Sequence, residues 1–382
     1  MSISDRQVVE VESRADLRAF IDLPYRLFKD DPNWAIPLRM QVRARLDLRK
    51  NPFFETAACR YLMVRRGKRC VARAAAFIDP RFDEHFGDRA LLFGWFDCED
   101  SSESMELLLS ALESIASELG RTTLIGPLTF SVHEEAGVLI DGFTMPHRLM
   151  TPHNPGWYAN LLEEQGFQKL QDLLAYPWTA TQEVQRKLSR VAERVARQPE
   201  FEFSTLNMKD FDREIDDIFS IFNDAFSTTW GHIDLSRAEF QHMAEDLRRI
   251  GEPELTFIIR SAGIPAAFGV TVPDWNMAIT AARGRLLPLG LFRMMMARRK
   301  IDAVRVMLLG VRPEFRGRGL EALIIQRTIE GAIRLGYAEA ELSMVLESNT
   351  PMRRIIERVM GSEQIKRYRI YRKELEIQTG PD

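Results

Sequence analysis

The sequence predicts an α/β chain of two tandem domains, each a mixed, mostly antiparallel sheet flanked by helices. Three observations carry that expectation. One order of apolar runs, helical segments and glycine turns is used twice across the 382 residues. In the second half, a strand-like run from Ala303 to Val311 feeds an arginine- and glycine-rich turn and then an amphipathic helix, Leu320 to Leu335. Apolar residues make up 45% and charged residues 28%, enough for two packed cores.

The repeat runs as follows. A short strand near Val8–Val11 leads to a helix from Asp16 to Lys29; its counterpart is Glu202–Leu206 and Phe211 to Phe226. A hairpin follows in each half, Arg60 to Asp79 and Leu255 to Asp274, each with two apolar runs about a glycine turn. The next strand is Ala90–Phe96 or Ala303–Val311, and the helix after it stops at Gly120 or Gly336. Strands Thr122–Ile125 and Ala338–Val345 come next. Asn154 and Asn349 then precede the last helices, and Leu173–Trp178 and Ile365–Leu375 close the halves. Between them, Val184, Leu188, Val191 and Val195 recur at helical spacing on a charged background, and Pro199 ends the run. The domains expected are therefore residues 1–178, a linker helix within 179–200, and residues 201–382.

The net charge of −3 argues against a chain built to coat nucleic acid. The basic run Lys366 to Lys373 reads as a solvated edge strand, where lysine and arginine discourage further pairing. Cys59, Cys70 and Cys98 have no metal-ligand spacing, so no metal is expected, and so few thiols fit a reducing cytosol. The polar N-terminus lacks a signal-peptide core, and no apolar run is long enough to span a bilayer. A cytoplasmic protein is expected, with peripheral contact at the inner membrane face left open. The oligomeric state is also left open.

The richest segment is Gly310-Val-Arg-Pro-Glu-Phe-Arg-Gly-Arg-Gly-Leu320. Glycines let the backbone approach a ligand closely, several N–H groups point one way, and the new helix adds its dipole. Arg316 and Arg318 strengthen that field, so the expected ligand is a pyrophosphate. The first half has Asp97-Cys98-Glu99-Asp100 at the matching place, an acidic loop that would repel one. That half is expected to serve as structural support.

Arg316-Gly-Arg-Gly-Leu-Glu321 resembles the pyrophosphate loop of the GNAT acyltransferase superfamily, whose pattern is Arg/Gln-x-x-Gly-x-Gly/Ala. Together with Asp30-Asp-Pro-Asn-Trp34, Gly126-Pro127, Asp141-Gly-Phe143, Asn154-Pro155 and Tyr368-Arg-Ile-Tyr371, it resembles a bacterial branch with two such domains in tandem. The resemblance implies an acyl-CoA or acetyl-CoA co-substrate. Its pantetheine would pair with backbone at Leu309, Gly310 and Val311, and its pyrophosphate with the N–H groups of Arg316, Gly317, Arg318, Gly319, Leu320 and Glu321. Asn349 would bind nearer the reaction centre. Replacing Gly319 by a bulky residue is then expected to abolish donor binding and leave the fold intact. Two positions depart from the family pattern: Glu321 replaces Gly or Ala, and Ile356 stands where a proton-donating tyrosine is common.

An amine must lose a proton before it attacks, and His232, Tyr368 and Glu341 are the candidate proton carriers, with Glu347 and Tyr371 nearby in sequence. Each taken singly reads more readily as a structural or solvated residue than as a catalytic one. The segment Leu286 to Lys300, rich in Leu, Phe and Met beside Arg293, Arg298, Arg299 and Lys300, has three readings: core, the wall of an apolar tunnel, or a membrane contact. Bacterial ceramide synthases resemble this tandem branch, so a long-chain lipid amine is the preferred acceptor. A small soluble amine, or a silent acyl-CoA sensor, are the alternatives.

Overall fold

The computed structural model describes residues 5–87, 89–180 and 186–376. Its first half runs Arg6–Glu10 (β1), Arg14–Leu27 (α1), Arg39–Arg45 (α2), Ala58–Arg66 (β2), Arg69–Ile78 (β3), Pro80–Phe86 (α3) and Ala90–Cys98 (β4). Ser102–Glu118 (α4), Thr123–Gly126 (β5), Leu128–Thr129 (β6), Ser131–Ala136 (β7), Val138–Asp141 (β8), Trp157–Glu164 (α5) and Gln168–Thr179 (β9) complete it. Helix Arg186–Ala196 (α6) leads to Phe201–Thr205 (β10), Phe211–Phe226 (α7), Arg237–Arg248 (α8), Thr256–Ser261 (β11), Ile264–Pro273 (β12), Asn276–Ile279 (α9) and Gly290–Arg298 (α10). The chain ends with Ala303–Val311 (β13), Leu320–Arg334 (α11), Glu339–Leu346 (β14), Thr350–Arg354 (α12) and Lys366–Glu374 (β15). Val184, one of the expected linker positions, lies outside the described residues.

The repeated order is present. Both hairpins turn through left-handed glycines, Gly67 and Gly263, and helices α4 and α11 stop at left-handed Gly120 and Gly336. Each half holds one parallel strand pair among antiparallel ones: β4 with β5, and β13 with β14. This is the mixed, mostly antiparallel sheet with flanking helices.

The chain divides into two compact units. One comprises Met1–Leu173, Arg283–Arg285 and Lys366–Asp382; the other comprises Leu174–Ala282 and Leu286–Ile365. The division differs from boundaries at 178 and 201 in a specific way. Strand β9 gives its first half to one unit and its second half to the other, and β15 belongs to the first unit although it ends the chain. The first unit orders its strands β1-β2-β3-β4-β5-β15, with β8 also paired to β15. The second orders them β10-β11-β12-β13-β14. Helix α4 supplies Met105, Leu108, Leu112 and Ile115 to the first core, against Val64, Leu91 and Phe93. In the second, α11 supplies Leu323, Ile324, Ile325 and Ile329 to the clusters built on Val304, Leu342 and Phe257.

The edge-strand reading of the basic run is overturned. Lys366, Tyr368, Ile370 and Tyr371 are buried, and β15 pairs with β5 from Tyr371↔Gly126 to Glu374↔Thr123. The cations are used inward. Lys366 Nζ donates to the Pro146 carbonyl at 2.6 Å. Asp172, whose carboxylate is fully covered, accepts from Arg369 Nε at 2.9 Å and Arg367 Nη1 at 3.3 Å, with Lys169 Nζ at 3.1 Å. Burial pushes the Asp172 pKa up, but hydrogen bonds from Arg369 and Lys169 and their charges outweigh it, and the net direction is down. A carboxyl held low in the folded state stabilises above its unfolded pKa and loses that contribution as pH falls through the folded value. Asp172→Asn should therefore cost about 1.5–3 kcal/mol at neutral pH. The gap from wild type should close in acid, below about pH 4. Urea unfolding of both proteins across that range checks this.

Candidate active site

The site begins with a parting of strands. β13 and β14 are in register from Ala303↔Glu339 to Val306↔Leu342, and among the described residues their pairing ends there. On its other side β13 stays paired with β12 as far as Ala267↔Val311, and the register slips between Val270 and Thr271. The partners there are Leu308 and Val306, so Met307 is the extra residue of a bulge. A bulge bends its strand and sharpens the local twist. The Arg312 N–H donates to the Ala266 carbonyl at 3.0 Å. Antiparallel alternation then turns Gly310 toward β12, and turns the N–H and C=O groups of Leu309 and Val311 toward the opening.

The loop beyond Val311 makes a tight turn at Pro313–Phe315, extends at Arg316, and passes through left-handed Gly317 (φ 75°) and Gly319 (φ 86°). Gly319 is the N-cap of α11, so the first N–H groups of that helix face outward at the end of the loop. A side chain at Gly317 would meet nothing within 4 Å. One at Gly319 would come to 2.8 Å from Val191 Cγ1 and 3.1 Å from Val195 Cγ2 of α6. A bulky residue at 319 would therefore press on the linker helix as well as change the loop, because α6 packs directly against this residue. Gly310 is equally constrained, since a Cβ there would lie 2.4 Å from Phe268 Cε1 and 3.1 Å from Ala225 Cβ.

Arginines fasten the loop to its surroundings. Arg316 donates through Nη2 to the Ala225 carbonyl at 2.8 Å and through Nε to the Val311 carbonyl at 3.3 Å. Arg312 reaches the Ser220 carbonyl at 3.2 Å and Asp224 at 3.1 Å. Arg316 caps the C-terminal end of α7, where the dipole favours cations, and Arg312 holds the turn before it. Arg318 pairs with Glu200 and lies over Phe201, 4.7 Å from the ring centre. Glu321 sits half-buried in the first turn of α11, where a carboxylate complements the helix dipole.

On the opposite face of this sheet from α11, helices α7 and α8 flank an apolar cavity. Phe211, Ile218, Phe240, Met243, Leu247 and Val272 line it, and it reaches Leu308 beside the strand opening. Val304 and Val306 pack toward α11, so strand alternation directs Arg305, Glu341 and Ser343 to the cavity face. All three are buried. Arg305 and Glu341 are cross-strand neighbours, and Arg305 donates from Nε to Ser343 Oγ and from Nη2 to its carbonyl, both at 3.0 Å.

The other candidates are placed differently. His232 lies in the turn between α7 and α8, fully buried, with Nε2 3.2 Å from Asp234 Oδ1 and its ring beside Phe222 and Phe226. Tyr368 is buried in β15 opposite Leu139, in the first unit. Asn349 is exposed and caps α12, its side chain accepting from the Met352 N–H at 3.2 Å. Ile356 is buried in the cluster with Tyr176 and Ile325. The structure thus brings the loop, the opened strand, His232 and Glu341 into one unit and puts Tyr368 in the other. Among the described residues no group of three or more His, Cys, Asp or Glu side chains is placed to hold a metal ion.

Two features escaped the sequence: the α7–α8 cavity and the Arg305–Ser343 contact. Apolar residues at helical spacing, such as Phe211, Ile215 and Ile218, announce a packed face but not whether the packing leaves space. The readings of Leu286 to Lys300 as core or tunnel wall are corrected. None of these residues lines the cavity, and Leu287 and Phe292 are 79% and 67% exposed.

The first unit closes the equivalent place. β4 and β5 pair only from Ala90↔Thr123 to Leu92↔Ile125. Beyond that, a Cβ on Gly94 would overlap the Leu128 carbonyl oxygen at 1.5 Å. The Tyr158 hydroxyl accepts from the Cys98 N–H at 3.0 Å and bonds Asp97 at 3.1 Å, and Trp157 Nε1 donates to the Cys98 carbonyl at 3.2 Å. Asp97 in turn binds Arg73.

A bulged central strand, a parallel neighbour that parts from it, and a glycine loop opening a helix define the GNAT class of acyl-CoA-dependent N-acyltransferases, here in tandem form. Solved structures share the fold. A GCN5-related N-acetyltransferase from Sphaerobacter thermophilus matches with a TM-score of 0.55 and 15% identity, over 100% of this chain and 99% of that one. A tandem GNAT protein from the clavulanic acid biosynthesis pathway matches with a TM-score of 0.57 and 15% identity, over 99% of each. No family model matches the chain. It is 34% identical to the bacterial ceramide synthase of Caulobacter vibrioides (strain NA1000 / CB15N), over 97% of this chain and 98% of that protein. It is 31% identical to Protein YghO of Escherichia coli (strain K12), over 95% and 94%. The chain belongs to this family.

The two loop glycines should separate in their effects. Gly317→Ala should cost only the left-handed backbone, about 1–2 kcal/mol. Gly319→Val should lose about 1–3 kcal/mol beyond that, from its collision with α6. Guanidinium unfolding of both variants measures the difference.

Proposed function

We propose that the second unit takes acyl-CoA at the opening after Val306 and transfers the acyl group to a long-chain lipid amine of the sphingoid type. One observation carries this reading. A strand opening with a glycine loop and an apolar cavity lie in the same unit, and the cavity reaches Leu308, next to the backbone groups that face the opening. The name of the Caulobacter relative points to the same acceptor class.

The residues present fit a coenzyme. Leu309 and Val311 offer main-chain groups to the pantetheine amides, as an added strand would. The N–H groups from Arg316 to Glu321 suit the pyrophosphate, with Gly317 leaving room for it and α11 adding its dipole. The exposed Asn349 carries an amide nitrogen not used in its capping contact, suited to the pantetheine end. Arg316 and Arg318 act by holding the loop in shape and raising its positive potential. The first unit, with its matching place filled by Tyr158 and Trp157, binds no coenzyme and supports the second.

Glu341 is the proton acceptor in this reading. It stands in the same unit as the loop and on the cavity face of the sheet, where a carboxylate can hold an ammonium head and take one proton from it. The neutral nitrogen then attacks the thioester carbon. The carbon–sulfur bond breaks, an amide forms, and the second proton leaves the nitrogen for the departing sulfur. With Ile356 at the family's tyrosine position, that proton needs no side-chain donor. His232, packed among phenylalanines, shapes the wall on the acceptor side. Tyr368 has a structural role in the first unit.

Thiol release from palmitoyl-CoA, with a long-chain amine and with a panel of small soluble amines, tests the proposal. Turnover of the small amines alone would replace the lipid reading with that of a soluble-amine acetyltransferase, and donor binding with no turnover would indicate a sensor. Filling the cavity by Ala244→Phe should lower kcat/KM for the long-chain amine by at least about tenfold, roughly the effect of losing one or two methylene contacts, and spare short amines. Glu341→Gln should lower kcat by about 10²–10⁴ with the donor's KM unchanged. Steady-state kinetics with both variants reads these effects.

A further inference from the structure

The segment from Leu286 to Lys300 presents an inverted helix. Leu287, Leu289, Leu291, Phe292, Met295 and Met296 are all exposed large apolar side chains. Helix α10 packs on α9. At 3.6 residues per turn, Gly290, Met294 and Ala297 form its inner stripe, and these are its least exposed residues. Leu291, Phe292, Met295 and Met296 lie on the far side, with Arg293 and Arg298 on the two flanks. A helix that covers a protein core shows the opposite pattern. Met277 of α9 is also exposed.

Charge selects the partner. The segment holds four cations, Arg293, Arg298, Arg299 and Lys300, and no acid, in a chain of net charge −3. All four are exposed; Arg298 also lies 5.2 Å from the Trp275 ring centre. A second copy meeting this patch about a two-fold axis would bring the two sets of cations together, an unfavourable arrangement. An anionic bilayer offers the complement of both features. Leucine, phenylalanine and methionine enter the acyl boundary, and the long basic side chains reach the headgroup phosphates.

We propose that α10 and the loop before it dock this protein on an anionic membrane surface. The inference deepens the lipid-amine reading by naming where the membrane meets the chain, and its observations are separate from those of the reaction site.

The experiment is co-sedimentation of the full chain with vesicles of phosphatidylcholine alone and of phosphatidylcholine mixed with phosphatidylglycerol. Wild type should bind the mixed vesicles at least about tenfold better, and added salt should erase the preference. A Leu287→Ser/Phe292→Ser double variant should lose binding to both, and Arg299→Glu/Lys300→Glu should lose the anionic preference. Both change exposed residues, so thermal midpoints should stay at the wild-type value. Equal binding by wild type and variants, absence of vesicle binding, or a self-association lost in the Leu287/Phe292 variant would overturn the proposal, the last in favour of a protein interface. Turnover of the long-chain amine in detergent micelles separates the two readings. If turnover persists without vesicle binding, docking falls and the acceptor assignment stands. Vesicle binding without such turnover supports docking and removes the acceptor assignment.

Discussion

Everything at the candidate site depends on β13 holding one neighbour and releasing the other. Past Val306 the strand keeps β12 and loses β14. The bulge at Met307 supplies the bend. The close approach of Gly310 to Phe268 and Ala225, together with Arg316 and Arg312 on the end of α7, keeps the bent strand against its partner. A strand edge bared in this way would ordinarily invite aggregation. Here it is short, internal to a sheet, and followed by a loop whose shape is fixed from both sides.

The two units show what that constraint is worth by contrast. Both begin with the same parallel pairing, β4 with β5 and β13 with β14. In the first unit the space beyond is taken by Leu128, Tyr158 and Trp157, and the loop that follows is acidic and tied to Arg6 and Arg66 through Glu99. In the second the corresponding loop is basic, with Gly317 facing open space and Gly319 packed on α6. One architecture thus yields a filled position and an open one, and the difference lies in a few side chains at the ends of two strands. The linker helix α6 belongs to the open site's machinery, because Val191 and Val195 rest on Gly319.

The acceptor side is divided between apolar and polar groups on one face of the sheet. α7 and α8 hold a cavity walled by aliphatic and aromatic side chains, and β13 and β14 carry Arg305, Glu341 and Ser343. In the proposed reading this face meets the long apolar body and the charged head of the acceptor. The exposed apolar stripe of α10, with its arginine flanks, is a second apolar feature of the same unit, and it faces solvent.

The sequence by itself determined the local content of this protein. Period-two and period-3.6 patterns set the hairpins and helices, left-handed turns required Gly67, Gly263 and Gly336, and glycines and arginines marked the loop from Arg316 to Glu321. Those properties depend on residues close along the chain. Only the tertiary structure decided which strand joins which unit, because pairing partners such as Tyr371 and Gly126 are far apart in sequence, and a basic strand looks the same at an edge as when its cations surround a buried Asp172. For the same reason it alone revealed the cavity between α7 and α8, the packing of α6 on Gly319, the separation of Tyr368 from the loop, and the outward face of α10. Each is a matter of which surfaces meet, and periodicity is silent on that.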